Sequence, residues 1–275
     1  MNIAQCLAAA AVQGIARMDA HLLLLHALGR ASHERAWLLA HDTDPLGEAQ
    51  AAAFDAFCRR RAAGEPVAYI LGRKEFFGLD FSVDARVLVP RPETEALVEW
   101  ALELLPVDQP ARVVDLGTGS GAIALAIKQA RLHATVEAVD RSAAALTVAR
   151  TNAQALGLEL SLREASWLDG AQGRYDLIVS NPPYVREDDP HLDALAHEPR
   201  SALAAGSDGL RDLRSIVAQA PAFLASGAWL LLEHGYDQAA DVRALLEAAG
   251  FQCVASRRDL AGIERCSGGK WLELG

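Results

Sequence analysis

From Met1 to about Leu71 the apolar positions recur at helical intervals, and β-branched residues are scarce among Ala, Leu and Arg. Leu22, Leu25 and Leu28 mark one helical face, which opens at Ala20 behind a capping Asp19 and stops at Gly29. A further helix is predicted over 51–63, with Phe54, Phe57 and Cys58 on one side. Short amphipathic segments joined by small and polar residues predict a helical bundle over residues 1–72. Such a bundle either pads a larger enzyme or recognises a partner, and the complete fold that follows it favours recognition.

The pattern then shifts twice. Gly64 and Gly72 bracket a short segment, and residues 75–83 alternate across a turn near Gly78 and Asp80, which predicts a β-hairpin linker over 73–89. Beyond it a helix is expected at 95–105. Strands are expected at 111–116, 135–139, 158–162, 175–179, 229–232 and 251–255, with helices at 143–155, 210–224 and 236–249 among them. Strands alternating with helices predict an α/β domain over 90–275, built on a mostly parallel sheet with both faces covered. Sheets of this kind bind ligands beyond the carboxyl ends of their strands.

Composition narrows the classes. A net charge of -10 disfavours a broad basic surface for nucleic acid, though not a local basic groove. The longest apolar runs fall short of a membrane span, and the first residues carry no basic leader. Cys6, Cys58, Cys253 and Cys266 are far apart and show no metal-ligand spacing, which fits small core residues in a reduced, cytoplasmic protein without a metal.

The candidate chemistry begins where the strand at 113–116 runs into Gly117-Thr118-Gly119-Ser120-Gly121. Alternate glycines allow a sharp turn and let backbone N–H groups approach a ligand, next to the positive end of the following helix. The spacing is related to the dinucleotide fingerprint without matching it, so a dinucleotide remains possible on the glycines alone. Asp115 shifts the balance, because a carboxylate repels a pyrophosphate but pairs with the ammonium of an amino-acid moiety. Asp140, ending the second strand, suits both ribose hydroxyls of an adenosine, or alternatively caps a helix starting at Arg141. After the third strand, Trp167 is placed to pack on an adenine, or the Ala165 backbone to read its edge, with plain hydrophobic cover as the other role for Trp167.

The fourth strand ends in Asn181-Pro182-Pro183-Tyr184. Two prolines lock their φ angles, remove two donors and bias their predecessors toward extended backbone. This makes the Asn181 side chain and the Pro182 carbonyl fixed acceptors, with Tyr184 offering a flat face to a planar group. An amide or aryl amine nitrogen is a poor nucleophile because its lone pair is delocalised. Two acceptors that grip its hydrogens and aim it at an electrophilic methyl supply proximity and aligned dipoles without a strong base.

Together these residues resemble the glutamine methyltransferases of peptide-chain release factors. The resemblance also rests on Gly64-Glu65-Pro66 with Tyr69 and Gly72, Phe76-Phe77-Gly78, Val89-Pro90-Arg91-Pro92-Glu93-Thr94-Glu95 and Leu232-Glu233-His234-Gly235. It implies a seven-stranded Rossmann-like sheet and S-adenosylmethionine as the cofactor, held by Asp115, Gly117, Thr118, Gly119, Gly121, Asp140, Ala165, Trp167 and Asn181. It further implies that the Gly-Gly-Gln loop of a release factor enters a pocket formed by Arg91, Pro92, Asn181, Pro182, Pro183 and Tyr184. Asn181, Pro182 and Tyr184 then serve catalysis, and neither nucleic acid nor membrane is required. Cys266 stands where the family pattern usually has valine, a similar small apolar residue. The rival reading is an amino methyltransferase of nucleic-acid bases, which shares the Asn181–Tyr184 geometry and should carry a basic surface.

Overall fold

Asn2 sets the start of the first helix: its side chain accepts the Gln5 N–H at 2.9 Å, while Gln5 Oε1 accepts the Asn2 N–H at 3.0 Å. In the computed structural model, which describes residues 1–273, the chain divides into two units, Met1–Arg73 and Lys74–Gly275. The first contains α1 (Ile3–Val12), α2 (Arg17–Ala27), α3 (Arg35–Ala40), α4 (Glu48–Ala62) and α5 (Val67–Leu71). Helix α2 touches all four others, so it buries Leu23, Leu24 and Leu25 together, and of the expected face only Leu25 is fully buried while Leu22 and Leu28 are half-buried. It starts earlier than expected. Asp19 lies in its first turn and binds Arg61 of α4 at 2.7 Å instead of capping. Residues 67–71, expected to lie outside the helices, form α5, entered after Pro66 and stopped by left-handed Gly72.

The second unit opens with a two-stranded ribbon, β1 (Arg73–Phe76) and β2 (Leu79–Ser82). Its turn lies at Phe77 and Gly78, both at positive φ (51° and 75°), as a two-residue hairpin demands, and Asp80 falls within β2. The main sheet contains β3 (Arg112–Leu116), β4 (Thr135–Asp140), β5 (Ser161–Glu164), β6 (Tyr175–Ser180), β7 (Leu224–Glu233), β8 (Gln252–Arg258) and β9 (Glu264–Lys270), in the order β5-β4-β3-β6-β7-β9-β8. The first five in that order are parallel, and β9 runs antiparallel to both its neighbours.

Helices α6 (Glu95–Leu104) and α7 (Ala122–Ala130) pack together, α6 against β6, β7 and β9 and α7 against β3 and β4, while α8 (Ala143–Leu156) covers β4 and β5. After the single turn α9 (His191–Ala194), α10 (Arg211–Gln219) and α11 (Ala239–Ala248) join the cluster containing Val114, Leu116, Ile178, Leu230 and Leu232. The helix expected over 210–224 ends at Gln219 because Pro221 follows, and Leu224 already begins β7. Strand β9 completes the expected seven-stranded sheet, although its residues were not among the strands read from the pattern. Its Ser267-Gly268-Gly269 run has low strand propensity, yet a side chain at Gly268 would collide with Leu231 and the Leu230 carbonyl. Cys6, Cys58 and Cys266 are buried as expected, whereas Cys253 is exposed. Among the described residues no helix is long and apolar enough to cross a membrane.

The pairing of β3 with β4 sets Leu116 beside Val139, and its pairing with β6 sets Leu116 beside Ser180. The loops after β3, β4, β5 and β6 therefore emerge along one edge. Asn152 of α8 ties the ribbon to the first of them. Its Oδ1 accepts the Ser82 N–H at 2.8 Å, and its Nδ2 donates to the carbonyls of Ser82 (3.1 Å) and Ser120 (2.9 Å). At 1% exposure, these bonds have no water competing for them. Replacing Asn152 by Ala leaves buried backbone groups unpaired, and urea unfolding should show a loss of about 2–4 kcal/mol. A midpoint equal to that of the wild type would deny the tie.

Candidate active site

A cavity of about 390 Å³ opens along this edge, bordered by Gly117, Thr118, Gly119, Asp140, Ala165, Trp167, Asn181, Pro183 and Arg91. The structure thus brings together most of the expected site residues. Asp115, Gly121, Pro92, Pro182 and Tyr184 flank the cavity-bordering residues in sequence but do not border the cavity themselves.

Backbone hydrogen bonds aim the glycine loop. The N–H groups of Gly117 and Thr118 both donate to the Val139 carbonyl, at 2.8 and 2.9 Å, which bends the chain toward β4. The Gly119 N–H then donates to Asp140 Oδ2 at 2.9 Å. Gly117 has φ +72°, and a Cβ there would sit 3.3 Å from the Trp167 ring, so only glycine fits both the turn and the indole. Trp167 itself holds φ +48°, an uncommon conformation for a tryptophan, kept in place by core packing on one side and the loop on the other.

Asp140 does not cap its helix. Ser142 does, by accepting the Ala145 N–H at 3.2 Å, and Asp140 Oδ1 takes the Ser142 N–H at 2.9 Å. Each carboxylate oxygen keeps further lone pairs, so Asp140 remains a bidentate acceptor at the cavity wall. The Ala165 N–H is occupied by the Asp140 carbonyl at 3.1 Å, which leaves Ala165 only its own carbonyl for reading a ligand edge.

Asp115 is fully buried, against the expectation of a carboxylate open to an ammonium. Its Oδ2 accepts from the Thr118 hydroxyl at 2.6 Å, and Oδ1 has no hydrogen-bond partner. Burial pushes its pKa up to about 7, partly offset by that hydroxyl. A glycine turn held by its own hydrogen bonds, the Asp140 carboxylate at the wall and a buried acid with one unpaired oxygen beneath suit a nucleoside carrying a cationic tail.

The methyl-acceptor side is built differently. Asn181 is half-buried, and its Nδ2 donates to the Thr94 hydroxyl at 3.2 Å. No protein donor reaches Asn181 Oδ1 among the described residues. Pro182 is buried, and Tyr184 turns its hydroxyl inward to Glu233 Oε1 at 3.3 Å, so its ring is not a free platform. Burial raises the Tyr184 pKa well above its ordinary value.

Sequence reading missed several neighbours. The Arg91 guanidinium is clamped by the buried carboxylate of Glu198, which also takes the Val89 N–H at 3.0 Å. Arg141 reaches the Ser201 carbonyl at 3.0 Å, joining two sides of the cavity rim. Glu198 lies over a hundred positions from its partners, and no local pattern announces it.

Residues 2–72 match the PrmC N-terminal domain family, and residues 95–207 match the methyltransferase small domain family. The chain is 52% identical to a release factor glutamine methyltransferase of Bordetella pertussis, over 93% of this chain and 95% of that one. It is 51% identical to the protein of the same name from Xylella fastidiosa, over 96% of each. Among solved structures, a methyltransferase from Pyrococcus furiosus aligns with a TM-score of 0.56 and 18% identity, over 78% of this chain and 98% of that one, a likeness of fold alone.

The buried Asp115 makes stability depend on pH. Because the folded-state pKa of Asp115 is raised above its ordinary 3.8 to about 7, the folded protein binds more protons than the unfolded chain between those values. Its contribution to stability is fully present below the unfolded pKa and is lost as pH rises through about 7. Urea midpoints of Asp115→Asn should fall less steeply across this window than those of the wild type. Parallel curves would mean that Asp115 ionises freely.

Proposed function

The chain belongs to the release factor glutamine methyltransferase family, and on that premise we propose that it methylates the side-chain nitrogen, N5, of the glutamine in a release factor's Gly-Gly-Gln loop. The observation that carries the site assignment is the Asn181 amide. With its Nδ2 committed to Thr94, its Oδ1 is left as an acceptor at the cavity wall. A primary amide presents two hydrogens, and we assign one to Asn181 Oδ1 and the other to the Pro182 carbonyl, the next acceptor along a chain whose φ is locked by its ring.

S-adenosylmethionine supplies the methyl as an electrophilic carbon on a sulfonium. We assign its ribose to Asp140, its adenine to the wall formed by Trp167 and Ala165, and its amino-acid end to the loop of Gly117, Thr118, Gly119 and Gly121. Asp115 acts there from beneath. The two acceptors hold the glutamine nitrogen with its remaining face toward the donor, and this positioning carries most of the rate. The N–C bond forms as the C–S bond breaks, leaving S-adenosylhomocysteine. The nitrogen then sheds a proton to water, and no side-chain base is needed because an N-protonated amide is strongly acidic.

Pro183 and Arg91 border the substrate side of the cavity, with Pro92 and Tyr184 behind them. We assign recognition of the release factor to the helical segment 1–72, connection to 73–89, and chemistry to 90–275. The reaction needs no nucleic acid and belongs in the cytoplasm, where release factors act. The acidic composition supports a protein substrate over a nucleic-acid base.

Purified release factor should accept labelled methyl while DNA and RNA do not; methylation of a nucleic acid alone would overturn the substrate assignment. Asp140→Ala should weaken cofactor binding by about 1.5–3 kcal/mol in calorimetric titration, the scale of lost charge-assisted hydrogen bonds. Equal affinity would remove Asp140 from the site. Asn181→Ala should lower the single-turnover rate by about 10²-fold or more with cofactor affinity unchanged. A rate near that of the wild type would leave the Pro182 carbonyl as the main contact.

A further inference from the structure

Behind Asn181 lies a buried polar chain that the proposed chemistry does not use. Thr94 is 4% exposed and Glu233 1% exposed, so water plays little part in organising them. Glu233 Oε1 accepts from the Tyr184 hydroxyl. Its Oε2 is buried and unpaired, which leaves an acceptor for the Thr94 hydroxyl, whose approach favours the charged carboxyl. Thr94 Oγ1 in turn accepts from Asn181 Nδ2 at 3.2 Å.

The direction of these bonds matters because an asparagine amide has two ends of nearly equal shape and opposite function. One end accepts and the other donates. If the Thr94 hydroxyl gives its proton to that unpaired oxygen, it has only lone pairs left for Asn181, which then keeps its NH₂ inward, as it stands here, and its oxygen toward the cavity. Without that demand, Thr94 can instead donate to Asn181, and the flipped amide then presents NH₂ to the NH₂ of the incoming glutamine. Two donors face each other, and the nitrogen is no longer held.

We propose that Glu233 is a positioning residue that, through the Thr94 hydroxyl, fixes which end of the Asn181 amide faces the substrate. This rests on the assignment of Asn181 as the glutamine's acceptor, and it gives the Leu232-Glu233-His234-Gly235 run and the Arg91–Glu95 segment a shared task. Glu233 must be ionised to impose the direction fully, since a protonated carboxyl can itself donate.

The charged and titratable groups around Glu233 act in both directions. Arg265 of β9 favours its ionisation, Glu93 opposes it, and Tyr184 donates to it while staying neutral. The Cys266 thiol, raised by its own burial and by Glu233, also stays neutral. Burial dominates and places Glu233 at about 7.

Single-turnover methyl transfer to intact release factor, with cofactor and substrate saturating, tests the assignment. Thr94→Val should lower the rate by about 10²-fold, the cost of a misplaced reacting group, while Thr94→Ser, which restores the hydroxyl, keeps most of it. Cofactor affinity should be unchanged in both. The wild-type rate should climb to a plateau as pH passes about 7, and Glu233→Gln should be slower and lack that climb. Should Glu233→Gln not fold, the Thr94 pair decides. If Asn181→Ala is impaired while Thr94→Val transfers at the wild-type rate, or if the climb survives in Glu233→Gln, the positioning role is overturned and the site assignment stands. If Asn181→Ala is itself unimpaired, the site assignment fails first and takes this proposal with it.

Discussion

Everything at the site depends on the pairing of β3 with a parallel strand on each side. Parallel neighbours end on the same side of a sheet, so the loops that follow them are gathered without any further instruction. Leu116 beside Val139 and Ser180 fixes the spacing of the glycine loop, Asp140 and Asn181. The β4–β5 register, with Asp140 opposite Glu164, brings Ala165 and Trp167 to the same edge. A slip of one residue in any of these pairs would turn the core-facing side chains of that strand outward, and burial on both faces of β3 forbids it.

On that frame the two halves of the cavity are built by different means. The cofactor side is mostly backbone: N–H groups bent over the Val139 carbonyl, a glycine that admits the Trp167 ring, and one carboxylate fastened at both oxygens. These hydrogen bonds already fix the glycine loop in the folded chain, so this side is preorganised for a ligand. The methyl-acceptor side is built from side chains, the Asn181 amide on the Thr94 hydroxyl and the Tyr184 hydroxyl on Glu233, whose orientations depend on their hydrogen-bond partners. Buried networks of this kind are specific when every member is satisfied and fail together when one is not.

Two buried acids, Asp115 and Glu233, lie behind the two halves, and burial raises both toward neutrality. Each weakens the folded state as it ionises, and each sits directly behind a group that the chemistry needs. Stability alone gives such groups no purpose, whereas holding a loop or an amide in one orientation gives them a use.

The amino-acid sequence by itself determined the alternation of strands and helices, the glycine loop, the acid ending β4 and the rigid Asn-Pro-Pro-Tyr segment, because each is local in the chain. Propensity, period and turn chemistry are properties of neighbours. Only the tertiary structure decided that Asp115 is hidden, that Ser142 and not Asp140 caps α8, and that Tyr184 faces inward. The same is true of Asn152, which joins residues seventy positions apart, of Glu198 clamping Arg91, and of β9, whose Gly268 is selected by Leu231 and the Leu230 carbonyl pressing against it. Burial and long-range hydrogen bonds depend on which surfaces meet, and a one-dimensional pattern carries no record of that until the sheet has formed.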